Sequence, residues 1–252
     1  MKTPARVTAP TGFGSKSWSM TSTAPQPSRT ALLKGATAVG FTGLILGLAA
    51  MAVLHLTAGQ NPAYDVLSAF LHSPFGWLFP VSLGLFAAGA AAFGLAAQAG
   101  GAPRWMSALL YLWSGLIALV ALFPTDPPGT VEYSAVHLVH RYAAFAAFCV
   151  MIALGFACTR SRGCRERCGR AVVACSWVAV AALTVTALPY VLDFFGVEAP
   201  HWTDAAGLNQ RVTVGSELIA LMRLGGWLRR GPQAPGSGQE ETARFGELVA
   251  AT

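Results

Sequence analysis

The sequence predicts an all-α integral membrane protein: a bundle of six transmembrane helices with both termini in the cytoplasm. Three observations carry that prediction. Hydrophobic residues make up 54% of the 252 residues and charged residues only 11%, against about 25% charged in soluble domains. Several apolar stretches reach the roughly 20 residues that a spanning helix needs. The basic residues are confined to alternate loops.

In chain order, residues 1–34 are rich in Ser, Thr and Pro and hold Lys2, Arg6, Lys16, Arg29 and Lys34 with no acid, which reads as a disordered basic cytoplasmic tail. They contain no apolar core of the kind a cleaved signal peptide needs. The membrane domain is expected over 35–230, from sustained apolar runs. Its helices are expected at about Ala36–Leu56, Phe75–Ala97, Trp105–Phe123, Val136–Ala157, Val172–Phe194 and Leu208–Leu228. The fifth carries Pro189 near its far end, and the sixth is unusually polar, with Asn209, Gln210, Arg211, Glu217 and Arg223. Gly and Ala recur inside the runs, as in Gly84–Leu95, where small residues let helices approach closely in lipid. Residues 231–252 are Gly/Pro/Ser-rich and read as a flexible tail.

The loops set the orientation. Arg104, the run Arg160, Arg162, Arg165, Arg167 and Arg170, and the pair Arg229–Arg230 lie on one side. The opposite loops hold Asp65, Asp126, Glu132, Asp193, Glu198 and Asp204 and no Lys or Arg. Short basic loops stay in the cytoplasm, so the acidic loops face outward. The net charge of +6 is thus a topology signal and points to no nucleic-acid partner. Cys158, Cys164 and Cys168 fall in or beside the basic loop, where thiols stay reduced, and lack the C-x2-C spacing of a zinc hairpin.

All five histidines fall on the outer half: His55, His72, His137, His140 and His201. The stretch Leu122–Arg141 gathers Asp126, Glu132, His137, His140 and Arg141 between two apolar helices, and ionisable groups at membrane depth point to function. His137, His140 and Arg141 share one helical face, which should turn into the bundle. Arg141 and Glu217 lie at matching depths, so an ion pair between the fourth and sixth helices is expected. Imidazole and carboxylate serve as metal ligands or as proton-transfer groups, so His72, Asp126, His137 and His140 are the candidate metal ligands. Asp126, His137 and His140 are the candidate catalytic groups. Against this stands plain structural satisfaction of the histidines at headgroup level.

Asn61-Pro62, Leu67-Ser68 and Gly76-Trp77-Leu78 resemble the first-loop pattern of a bacterial and archaeal membrane family, domain of unknown function 998. Leu122-Phe123-Pro124-Thr125-Asp126, then Thr130 and His137, and Gly207-Leu208-Asn209-Gln210-Arg211 fit the same pattern over about residues 35–230. The family is distantly similar to the Frag/DRAM/Sfk group. The resemblance implies a six-helix bundle in a prokaryotic plasma membrane, and by analogy a role in lipid organisation. Ser68, Pro124, Asp126, His137 and Arg211 match its pattern, while His140 and Glu217 rest on helical position alone.

Ser68-x3-His72, Asp126 and His137-x2-His140 also resemble the alkaline-ceramidase and progestin-receptor-like zinc hydrolases, which use Ser-x3-His, Asp and His-x3-His. Here the last pair is one residue short and sits in a middle helix, and the helix count is six, not seven.

The leading expectation is a protein without a cofactor that binds or organises a membrane lipid, or meets a membrane-protein partner, through an outward polar pocket. That pocket would draw on Ser68, His72, Asp126, His137, His140, Arg141, Arg211 and Glu217. The alternative is a membrane-embedded hydrolase, or other lipid- or isoprenoid-modifying enzyme, in which zinc would activate water. A small-solute transporter ranks third, since no internal repeat is evident and only the fifth helix is Pro-interrupted.

Overall fold

The computed structural model describes residues 28–127, 129–197 and 205–230. Among them every regular element is helical. Six long helices make the bundle: α1 (Arg29–Thr57), α2 (Leu78–Ala99), α3 (Arg104–Leu122), α4 (Ala135–Ala157), α5 (Arg170–Phe194) and α6 (Ala206–Arg230). α1 starts earlier than the apolar run suggests, because the Ser28 hydroxyl caps it by accepting the Ala31 N–H at 3.3 Å. Arg29–Lys34 therefore belong to the helix and not to the expected tail. The rest of that tail, residues 231–252, and Glu198, His201 and Asp204 lie outside the described residues.

Five helices, α1 to α5, are long and apolar enough to cross a membrane. α6 does not meet that standard, and its surroundings explain why. It packs against α5 and α1 and also touches α2 and α4, so it is enclosed by protein on most sides. Thr213, Ser216 and Glu217 are buried there beside Leu218, Leu221, Leu224 and Leu228. A helix wrapped by other helices meets little lipid and can carry polar groups that a lipid-facing helix cannot.

Sequential helices are neighbours: α1 packs on α2, α2 on α3, α3 on α4, α4 on α5 and α5 on α6. The tightest seam runs between α1 and α2. A Cβ added to Gly43 would lie 2.7 Å from the Leu85 carbonyl oxygen, and Ser82 Oγ donates to the Gly47 carbonyl at 2.9 Å. The obstacle at Gly43 is backbone, which cannot swing aside. Gly43→Val is expected to destabilise the protein by about 1–3 kcal/mol through overpacking. Thermal unfolding in detergent, beside Gly84→Val where a Cβ meets nothing within 4 Å, checks it.

One end of the bundle collects the basic segments. Arg29 approaches the α2–α3 turn at Gly101, and Trp227 near the end of α6 approaches Gly163 in the Cys158–Gly169 connection. We call this the basic end. The opposite, acidic end holds the loop between α1 and α2, with a short 3-10 helix at Leu67–His72, and the loop between α3 and α4.

Candidate functional site

The acidic end is built around the Phe123–Asp126 turn, and three histidines hold it. His140 Nδ1 donates to the Phe123 carbonyl at 2.7 Å; a carbonyl only accepts, so the proton sits on Nδ1. His137 Nδ1 lies 3.1 Å from the Asp126 amide, which only donates, so here Nδ1 is the lone-pair nitrogen. His72 Nε2 lies 3.4 Å from Thr125 Oγ1. The Asp126 carboxylate accepts from Ser134 N at 2.7 Å and Ser134 Oγ at 2.8 Å, and Ser134 Oγ in turn caps α4 at the His137 amide. Tyr133 stacks on the His137 ring at 4.4 Å. The Phe-Pro-x-Asp…His signature is therefore a folded turn whose backbone polar groups are satisfied by imidazoles. In those contacts the plain structural reading holds.

The two hydrogen bonds from Ser134 hold the Asp126 carboxyl below the usual carboxylate range, with a smaller contribution from His137. A carboxyl depressed on folding adds stability that is fully present above its unfolded pKa, about 3.9. That stability is lost as pH falls through the folded value. The Tm difference between wild type and Asp126→Asn is thus expected to be full at neutral pH. It should begin to shrink below about pH 4 and vanish once pH has fallen past the depressed folded value, in a pH series of melting curves.

A second polar assembly ties the first loop to α6. Arg211 Nη1 donates to the carbonyls of Asp65 at 2.6 Å and Gly207 at 3.0 Å, and Nε donates to His55 Nε2 at 3.1 Å. His55 Nδ1 donates to Met51 O at 2.8 Å, which fixes its tautomer. Gln210 Oε1 accepts the Leu67 amide at 2.7 Å, and Asp65 Oδ2 accepts the Asn61 amide at 2.7 Å. A Cβ on Gly207 would lie 2.5 Å from the Asp65 carbonyl oxygen. The Asn61-Pro62 and Gly207–Arg211 segments, far apart in sequence, are two halves of one joint.

Two spaces open beside these assemblies. A cleft of about 480 Å³ lies among α4, α5 and α6 at the acidic end. Thr125, Tyr133, His137, Arg141 and Gln210 give it polar groups, and Phe145, Phe148, Leu183, Ala187 and Val191 give it apolar walls. A smaller cavity of about 60 Å³ lies deeper, lined by Trp113, His140 and Glu217 among apolar side chains. Ser68, His140 and Gln210 border both.

The expected site residues thus divide. Ser68, His137, His140 and Arg141 border the cleft, and Glu217 borders only the deeper cavity. His72 and Asp126 stand at the turn, and Arg211 is committed to the joint with His55 and Asp65. The expected Arg141–Glu217 ion pair does not form. Among the described residues Glu217 Oε1 is buried without a hydrogen-bond partner, and the nearest acid–base contact at this end is His137 Nδ1 to Asp126 Oδ2 at 3.8 Å, where the imidazole is neutral. The two residues match in depth but not in rotation: Arg141 turns to the cleft and Glu217 toward Trp113 of α3. Trp113 and Gln210 are site residues that the sequence does not mark as such: Gln210 stands within the Gly207–Arg211 motif, whereas Trp113 sits in an apolar run with nothing to signal its N–H.

Among the described residues, no three His, Cys, Asp or Glu side chains are grouped to hold a metal. The zinc set His72, Asp126, His137 and His140 is instead spread along the turn, each member engaged with a different atom of it or with Ser134.

Five helices long and apolar enough to cross a membrane, in a bundle that carries a ligand-sized cleft, define a multi-helix membrane protein. The chain belongs to the family described as protein of unknown function (DUF998), whose family model matches residues 27–227. No curated protein and no solved structure matches it.

Proposed function

We propose that the protein spans a prokaryotic plasma membrane six times, termini in the cytoplasm, and binds a membrane lipid in the cleft among α4, α5 and α6. The cleft carries this reading. Its volume of about 480 Å³ falls within the roughly 300–1,000 Å³ of ordinary ligand sites. Its lining also grades as a lipid does. His137 and Arg141 border it near the start of α4, and Phe148 borders it about 16 Å beyond His137 along the helix at 1.5 Å per residue. An amphipathic molecule with an anionic or hydroxylated headgroup suits that gradient. The sixth span is supported by the length of α6, about 37 Å, and by its enclosure in the bundle. The orientation is supported by the basic and acidic ends and the positive-inside rule.

Native mass spectrometry of protein purified in mild detergent tests the binding. Wild type is expected to carry one lipid per chain. Ala144→Trp, which fills the cleft wall, should lose it while keeping its melting temperature within a few degrees. A bare wild-type chain, or a lipid that survives both Ala144→Trp and Ala187→Trp, would sink the reading.

A further inference from the structure

The deeper cavity holds groups that the lipid reading does not use. Glu217 is 4% exposed and Trp113 is 3% exposed. Among the described residues, both Glu217 Oε1 and Trp113 Nε1 are buried without a hydrogen-bond partner. One is an acceptor and the other a donor, and both border the same space of about 60 Å³. An unpaired polar atom in an apolar interior is costly, and two at one cavity call for a common partner. The cavity has room for a few waters, at roughly 10–15 Å³ of such volume each, and the polar atoms to bind them.

The remaining surroundings narrow the chemistry. Among the described residues, no Lys, Arg or Asp borders the cavity. The titratable groups near Glu217 are His140 and Cys149 of α4 and Cys175 of α5. From α1, α2 and α3 the cavity receives Met51, Phe79, Leu83, Phe86, Trp113, Ile117 and Val120, none of them acidic or basic. A lone carboxylate with no cation beside it is far costlier in such a place than a carboxylic acid. His140 has its Nδ1 proton committed to Phe123, which leaves Nε2 as the basic atom of the ring. Ser68, His140 and Gln210 join this cavity to the cleft above it.

We infer that Glu217, Trp113 and His140 bind a small water cluster, and that Glu217 is a proton-carrying carboxylic acid which exchanges its proton through that water with the cleft. Each exchange balances: the carboxyl O–H passes its proton to a bound water as a neighbouring water returns one to the same oxygen pair. Trp113 N–H donates to the cluster and holds it against the carboxyl. The site stands on its own residues and does not depend on a lipid filling the cleft.

Infrared spectroscopy of the purified full chain in dodecyl maltoside micelles, a detergent without carbonyl groups, at neutral pH tests it. Wild type is expected to show the carbonyl stretch of a protonated carboxyl, and transfer to D2O should shift it. Glu217→Gln, nearly the same shape, should abolish the band with the fold intact by circular dichroism. Trp113→Phe should keep the band but move its frequency, because one donor to the cluster is gone. No protonated-carboxyl band in wild type overturns the proposal. So does a band that persists in Glu217→Gln, ignores D2O, or is unmoved in Trp113→Phe.

Discussion

Arg211→Ala is expected to be the most destabilising single substitution at the acidic end. The guanidinium is shared by three acceptors on three segments: His55 at the end of α1, the Asp65 carbonyl in the first loop and the Gly207 carbonyl at the start of α6. It also lies 5.5 Å over the Phe70 ring. Hydrogen bonds from a charged donor contribute about 1.5–3 kcal/mol each, and the exposure of His55 lowers its share. A total loss on the order of 3 kcal/mol is expected, read as a lower melting temperature in detergent. Arg211→Lys should recover less than half, since a single ammonium cannot serve carbonyls and an imidazole in a fixed fork. Gly207→Val attacks the same joint from the other side, where a Cβ meets backbone at 2.5 Å. If Arg211→Ala melts like wild type, loop and helix are held by something else.

The second large effect has the opposite sign. Trp113→Phe combined with Glu217→Leu removes both buried polar atoms that lack a protein partner among the described residues, together with any water they hold, and leaves apolar groups of similar total volume. Replacing buried polar groups together by apolar ones of the same shape is often neutral or stabilising, here by about 1–3 kcal/mol. The double variant is thus expected to melt at or above the wild-type temperature. Glu217→Leu alone should gain less, since Trp113 Nε1 still lacks a protein partner and loses the carboxyl that helped to hold its water. A marked loss of stability in the double variant would mean that the carboxyl has a firm structural partner. A gain would mean that the chain keeps Glu217 at a cost in stability.

The loop that draws attention in the sequence is important for a less chemical reason than its composition suggests. Asp126 and His137 are polar at the membrane edge because the chain must turn there, and a turn exposes amides and carbonyls that lipid cannot satisfy. The histidines answer those backbone groups. Residue types alone do not separate the two readings, since imidazoles capping a backbone turn have the same types as imidazoles around a metal.

What the sequence alone determined is the helical class, five helices apolar enough to span and, through its motifs, the family. These depend on local hydropathy and on short patterns, which need no knowledge of neighbours. It also marked α6 as unusual, since its polar residues are plain to read. Only the tertiary structure decided how the helices are rotated about their axes. That rotation separates Arg141 from Glu217 although their depths agree, and brings Trp113 of α3 to the carboxyl from a run with no polar signal. It likewise joins Asp65 to Arg211 across the chain. Depth along a helix is counted from its end, at a fixed rise per residue. The direction a side chain faces is fixed by packing, where small residues such as Gly43 and Gly207 admit another backbone and larger ones do not.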